Sequence, residues 1–313
     1  MTAFHHIPIM VEGVLELLAP ERGGIFVDGT LGGGGHSEAI LRRLPEGSRL
    51  YGIDRDPAAI SAASERLASF GDKFLALRGN FFQMPSLLQA QGVTGVDGIL
   101  LDLGVSSHQL DTPERGFSYH ESAPLDMRMD PTAGFSAYDV VNGYDAAALC
   151  RVIRDYGEER FAGRIARAIV RTRKAHGPIT NTLELAKIIK DTIPAANRRE
   201  GPHPARRTFQ ALRIEVNGEL EGLDQALEQA HNLLRPQGRM AVITFHSLED
   251  RIVKNAFRRF ENPCICDPRA PVCTCGRKPT ARILTKKPRV ASPEELEMNP
   301  RARSAKLRGM EKL

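Results

Sequence analysis

The sequence predicts an α/β protein: a doubly wound parallel sheet carrying a helical insertion between its fourth and fifth strands. Three observations predict it. Short apolar runs alternate with helical stretches through the first hundred residues, the pattern of βαβ units. The alternation stops at Val105, and a Pro- and Gly-rich loop (105–136) and Arg-rich helical stretches follow. A strand pattern returns only at "GRMAVITFHS", residues 238–247.

In chain order, "IFVDGT" (25–30) reads as a buried strand and "HSEAILRRL" as the helix after it. "LYGID" (50–54) is the second strand. "PAAISAASERLASF" is the second helix, with Asp56 as its cap and Pro57 in the first turn, where a missing N–H costs nothing. "KFLALRG" (73–79) is the third strand and "VDGILLDLG" (96–104) the fourth, apolar until Asp102. In "EERFAGRIARAIVRTRKA", Phe161, Ile165 and Ile169 recur every four residues as an apolar stripe among arginines, which predicts a helix. "TFQALRIEVNGELEGLDQALEQAHNLL" reads as one helix before the fifth strand, and a helix at 248–260, a Cys-rich loop and a basic tail follow. The expected domains are 1–109 and 206–313 for the sheet, the latter with the tail, and 110–205 for the insertion.

The chain has 313 residues, 42% hydrophobic and 26% charged, ordinary for a globular protein with a core. No apolar run is long enough to span a membrane. "MTAFHHIPIM" lacks the basic segment and apolar core of a secretory signal, so a cytoplasmic location is expected. The net charge of +5 is unevenly spread: residues 151–213 carry 15 basic against 6 acidic residues, residues 277–313 carry 11 against 4, and the remainder is acidic. A solvated basic helix surface would explain this, and so would a polyanion bound in one region while a small ligand is handled in another.

The small-ligand candidate is "DGTLGGGGHS", residues 28–37, four glycines at a strand-to-helix turn. Such a turn brings backbone close to a ligand. Asp54 ends the next strand twenty residues after Gly34, the position that takes ribose hydroxyls in adenosine-binding folds. A dinucleotide fingerprint fits incompletely, because Ser37 stands where its third glycine belongs. An ATP-type phosphate loop fails, because no lysine follows. S-adenosylmethionine has no phosphates to cradle, and its sulfonium tolerates acids such as Asp28, Asp54 and Asp102, all at strand ends. A methyltransferase fits better than a dehydrogenase.

At this point nine stretches resemble one family, the bacterial ribosomal RNA small subunit methyltransferase H. They are "DGTLGGGGHS", "IDRDP", "DGILLDLGVSSHQLD", "RGFS", "PLDMRMDP", "YGEERFAGRIARAI", "TFQALRIEVNGEL", "FHSLEDRIVK" and "NPRARSAKLR", in order from residue 28 to 308. The resemblance implies a class I, Rossmann-like S-adenosylmethionine-dependent fold with a helical insertion. It implies methylation of the exocyclic N4 of a cytidine in the decoding centre (P-site region) of 16S rRNA within the small ribosomal subunit. It also implies cofactor contacts at Gly34, Gly35, His36, Asp54, Phe81, Asp102 and Gln109.

Methyl transfer to N4 needs a proton acceptor, because the amino lone pair is delocalised into the ring. Asp102 is the first candidate, and Ser106, Ser107 and His108 follow it as groups that would orient the base. Many amino-methyltransferases carry an Asp/Asn/Ser-Pro-Pro-aromatic stretch here; this chain has "DLGVSS", so prolines and stacking aromatic are missing. Phe117 or Tyr119 in the following loop is the alternative stacking face. Ser247 and Asp250 read as a capping box, and His246 beside them is a candidate rRNA or catalytic contact.

Cys150 stands alone and is expected to be buried. Cys264, Cys266, Cys273 and Cys275 form paired thiols in "CICDPRAPVCTC", which in a cytosolic chain point to zinc more than to disulfides, though Cys-x-Cys is tighter than the usual spacing. Arg160, Arg164, Arg167, Arg171 and Arg173 lie at helical spacing and are expected to follow an RNA backbone, joined by "RRTF" (206–209) and the tail "NPRARSAKLR". The tail's Arg301–Arg308 stretch is alternatively an edge strand with basic side chains outward. The sequence sets no oligomeric state, and a homodimer is compatible with it. Two other functions stay open: an RNA-binding ribosome assembly factor that holds S-adenosylmethionine without turnover, and an NAD-dependent oxidoreductase.

Overall fold

The computed structural model describes residues 8–197, 203–267, 269 and 272–313, with the side chains of Ser107 and His108 outside that description. The chain divides into two compact units, Met1–Gly104 with Leu220–Leu313, and Val105–Glu219. The insertion therefore begins at 105 and ends at 219, wider at both ends than the 110–205 expected from sequence.

The first unit opens with α1 (Val11–Leu18), then β1 (Ile25–Asp28), α2 (Gly35–Arg43), β2 (Arg49–Asp54), α3 (Pro57–Arg66), β3 (Phe74–Arg78), α4 (Met84–Gln89) and β4 (Val96–Asp102). Asp56 caps α3 as its position predicts, its carboxylate accepting from Ala58 N at 3.0 Å. In the second unit follow α5 (Ser107–Asp111), α6 (Ala137–Gly143), α7 (Ala146–Gly157), α8 (Ala162–His176), α9 (Thr182–Thr192) and α10 (Arg206–Asn217). The first unit resumes with α11 (Leu223–Leu233), β5 (Leu234–Thr244), α12 (Ser247–Glu261), β6 (Ala281–Ile283), α13 (Pro293–Met298) and β7 (Lys306–Lys312).

The single helix expected over 208–234 is two, α10 and α11. Gly218 (φ 59°) ends α10 and Gly222 (φ 78°) opens α11, both left-handed, a conformation that breaks helical continuity.

The sheet order is β3-β2-β1-β4-β5-β7-β6. β1 to β5 are parallel, and β7 runs antiparallel to both β5 and β6. The tail strand is thus internal to the sheet, not at its edge, and it begins at Lys306, after a 3₁₀ turn at Pro300–Ser304. Alternate strand residues enter two cores, as the two-residue period requires. Val27, Ile53, Ile99, Leu101 and Val242 pack with α4, α11 and α12. Phe26, Leu50, Leu100, Ala241 and Ile243 pack with α1, α2 and α3.

The second unit has a core of its own, including Ile153, Ile165, Ile169, Ile189 and Leu212. The stripe of α8 is therefore buried where its period put it, with Phe161 packed partly against it at the helix cap. Cys150 is half-buried here. Among the described residues, no helix is long and apolar enough to cross a membrane.

Candidate active site

A parallel sheet leaves the carboxyl ends of β1, β2 and β4 side by side, and each ends in an aspartate: Asp28, Asp54 and Asp102. Asp28 is buried, accepting from Ser37 Oγ at 2.7 Å and Thr30 N at 3.1 Å. Burial raises its carboxyl above the usual range, against the pull of His36 and these donors. Asp54 accepts from Gly32 N at 2.8 Å through one oxygen and from Asp56 N at 2.9 Å through the other. It thereby ties the glycine turn to the end of β2. Burial raises this carboxyl as well.

Gly34 lies in the left-handed region (φ 76°) as the residue before α2. A Cβ there would meet Ala63 and Leu67 at 3.2 Å, and one on Gly35 would meet Pro8 at 3.1 Å. At these two positions the close approach is between protein elements, so the turn is packed into shape on that side. His36, buried at the start of α2, has Nε2 2.8 Å from the Ile9 carbonyl. A carbonyl only accepts, so Nε2 donates and Nδ1 is turned toward Asp102.

Asp102 is the least satisfied of the three acids. Its backbone N–H donates to Thr30 Oγ1 at 2.6 Å, and its Oδ2 is 3.5 Å from His36 Nδ1. Its Oδ1 is buried with no hydrogen-bond partner among the described residues, a costly arrangement unless something else supplies a donor. Burial pushes the Asp102 carboxyl up to about 6; His36 opposes this, and the carboxylates of Asp28 and Glu249 add to it. Phe81 follows β3 in a 3₁₀ turn, half-buried, its ring edge-on to Phe82 with centroids 4.5 Å apart.

The other candidates belong to the second unit. Ser106 and Gln109 cap each other, Ser106 N donating to Gln109 Oε1 at 3.1 Å and Gln109 N to Ser106 Oγ at 3.2 Å. His108 lies in α5, its side chain outside the described residues. Phe117 is buried in the helical core and offers no exposed stacking face. Tyr119 is already stacked on His203, centroids 4.7 Å apart and 13° from parallel. That pairing spans more than eighty residues, and no local pattern signals it.

The expected capping box at Ser247 and Asp250 is instead His246 with Glu249. His246 is the N-cap, its Nδ1 accepting from Glu249 N at 3.4 Å while Glu249 Oε2 accepts from Phe245 N at 2.9 Å. The helix starts one residue earlier than a Ser247 cap requires, which frees Asp250 for another partner. Asp250 is clamped by Arg308 of β7, Nε–Oδ1 2.7 Å and Nη2–Oδ2 3.1 Å. So Arg308, expected outward, is buried and paired. Arg173 also turns inward, donating to the carbonyls of Val141 and Tyr144, whereas Arg160, Arg164, Arg167 and Arg171 are exposed.

Sheet order and strand-end acids together define a class I methyltransferase fold. The chain belongs to the MraW methylase family, whose model matches residues 3–313. It is 54% identical over 311 residues to the ribosomal RNA small subunit methyltransferase H of Heliobacterium modesticaldum, covering 99% of each chain. Identity is 54% over 313 residues to the protein so named from Trichlorobacter lovleyi, all of both chains, and 56% over 310 residues to that of Geobacter sulfurreducens, 99% of both.

Proposed function

We propose that this protein methylates the exocyclic N4 of a cytidine in 16S rRNA of the small ribosomal subunit, in the decoding centre, with S-adenosylmethionine as donor. The names of its relatives support rRNA as the substrate. The observation that carries the chemistry is the buried Oδ1 of Asp102 at the end of β4, which has no hydrogen-bond partner among the described residues.

The residues present fit the cofactor. Asp54 keeps lone pairs for ribose hydroxyls beside the two amides it already holds. Phe81 offers an apolar face after β3 for adenine. Carboxyls raised by burial at the ends of β1, β2 and β4 favour a cation nearby. When bound, S-adenosylmethionine supplies a methyl group on a positively charged sulfur.

Asp102 then does the protein's share. Its Oδ1 accepts a hydrogen bond from the amino group, which draws the N4 lone pair out of conjugation and toward a tetrahedral geometry. As N4 gains the methyl it must lose a proton, and a carboxylate held near 6 is a competent acceptor at neutral pH. Exposed Arg164, Arg167 and Arg171 on α8 supply phosphate contacts.

The test is transfer of labelled methyl to small subunits and to naked 16S rRNA from cells lacking the activity, with the product nucleoside identified. N4-methylcytidine is the expected product. A C5- or ribose-methylated product overturns the assignment, and cofactor binding without transfer to either acceptor favours the assembly-factor reading.

A further inference from the structure

Nothing in the methyl-transfer chemistry uses the connection between α12 and β6. This segment, 262–280, is closed at its base by Thr280 N donating to Phe260 O at 2.8 Å. None of its described residues is buried, and its aliphatic side chains Ile265 and Val272 are 68% and 69% exposed. A connection this long, without a core, is uncommon in a compact domain unless something else orders it.

Four thiols converge inside it. Cys273 Sγ lies 3.6 Å from Cys264 Sγ, 3.9 Å from Cys266 Sγ and 3.5 Å from Cys275 Sγ, and Cys275 Sγ is 3.8 Å from Cys264 Sγ. All four sulfurs lie within 4.8 Å of one another. No pair is bonded. Four sulfurs at the Zn–S bond length of about 2.3 Å around a tetrahedral centre stand about 3.8 Å apart. The observed spacings bracket that value, far beyond the disulfide length of about 2.05 Å. The backbone supports the arrangement, with Thr274 N donating to Cys266 Sγ at 3.3 Å, the outer-shell hydrogen bond that thiolate ligands attract. Arg269, Arg277 and Lys278 in the same segment offset the net negative charge of four thiolates around a dication.

We propose that Cys264, Cys266, Cys273 and Cys275 bind one Zn²⁺ in a closed tetrahedral site that orders this connection. With four protein ligands no position is left for water or substrate, so the role is structural. Cys-x-Cys at both ends of the loop folds each pair around the ion, in place of a hydrophobic core.

The test uses the full chain purified under reducing conditions without added metal. Elemental analysis is expected to find one zinc per chain, absent from Cys273→Ser and retained in Cys150→Ser. Exchange with Co²⁺ is expected to give the intense visible bands and sulfur-to-metal charge transfer of a tetrahedral tetrathiolate. The cobalt spectrum needs no variant, so it decides even if Cys273→Ser does not fold. A metal-free chain with all five thiols reactive, disulfides within the cluster, an iron–sulfur chromophore or an octahedral cobalt spectrum would each overturn the proposal.

Discussion

His36 Nδ1 stands 3.5 Å from Asp102 Oδ2, with the far side of the imidazole fixed on the Ile9 carbonyl. The ring thus stands beside one oxygen of the carboxylate, while the other, Oδ1, is buried with no hydrogen-bond partner among the described residues. A residue of the α2 turn thereby stands against a group at the end of β4, and burying that carboxylate costs stability.

Asp102→Asn measures that cost and the carboxylate's proposed role together. Loss of the acceptor is expected to lower kcat by about 10²–10⁴-fold, the usual worth of a positioned general base. The same change should stabilise the free protein. A carboxyl held at about 6 instead of 3.8 costs up to about 3 kcal/mol at neutral pH, an order-of-magnitude figure. Because the folded value is the raised one, the penalty is absent below the unfolded value and grows as pH rises through about 6. Thermal melts of the two proteins should therefore diverge between pH 4 and 7, the variant melting higher; coincident melts across that range would count against a strained Asp102.

Charge preference for the cofactor should follow the same titration. The sulfonium donor is cationic and its demethylated product neutral, so ionised Asp102 favours the donor. Calorimetric Kd values are expected to show the donor-over-product preference rising as pH passes upward through about 6. Asp102→Asn should flatten that dependence, and a pH-independent ratio in the native protein would remove Asp102 from the electrostatics of binding.

Arg308 and Asp250 tie β7 to α12 by two hydrogen bonds. Arg308→Ala leaves a buried carboxylate with Lys306, 3.3 Å away and 40% exposed, as its counter-charge among the described residues. The expected loss is about 3 kcal/mol in denaturant unfolding, the low end for breaking a buried pair, with Arg308→Met combined with Asp250→Asn recovering most of it. The guanidinium and ammonium beside Asp250 hold its carboxyl below the usual range despite burial. That contribution is present above the unfolded pKa and lost on acidification, so native protein and Arg308→Ala should converge in stability below about pH 4.

Arg164, Arg167 and Arg171 recur at three- and four-residue spacing on α8 and are exposed. Replacing all three with glutamine should leave the melting temperature and cofactor affinity unchanged. The slope of log affinity for rRNA against log salt is expected to fall by about 2–3, roughly one per lost phosphate contact. An unaltered slope would move the RNA surface elsewhere.

What was legible in the sequence was what local chemistry decides. Asp56 and Pro57 marked the start of α3, the glycines marked the turn after β1, and the four-residue stripe of α8 gave its buried face, because each depends on neighbours within a turn or two. Distant partners decided the rest. Arg308 reads as an exposed base until Asp250 meets it, Tyr119 as a free ring until His203 covers it, and Arg173 as an RNA contact until the carbonyls of Val141 and Tyr144 take it. His246 was missed as a cap because serine, the commoner cap, stands next to it. The unpartnered oxygen of Asp102 has no sequence signal, since its place at a strand end does not show which atoms lie nearby.

The strand order also has a consequence for synthesis. β4 pairs with β5, and between them in the chain lies the whole unit Val105–Glu219. A growing chain leaving the ribosome therefore carries β1 to β4 with one flank of β4 bare, the amides facing β5 unpaired and Ile99 and Leu101 still without α11 and α12. Such an edge recruits stray strands from other chains. The helical unit has its own core and local contacts, so it can fold in that interval, and the half-built sheet is then the species most in need of a chaperone.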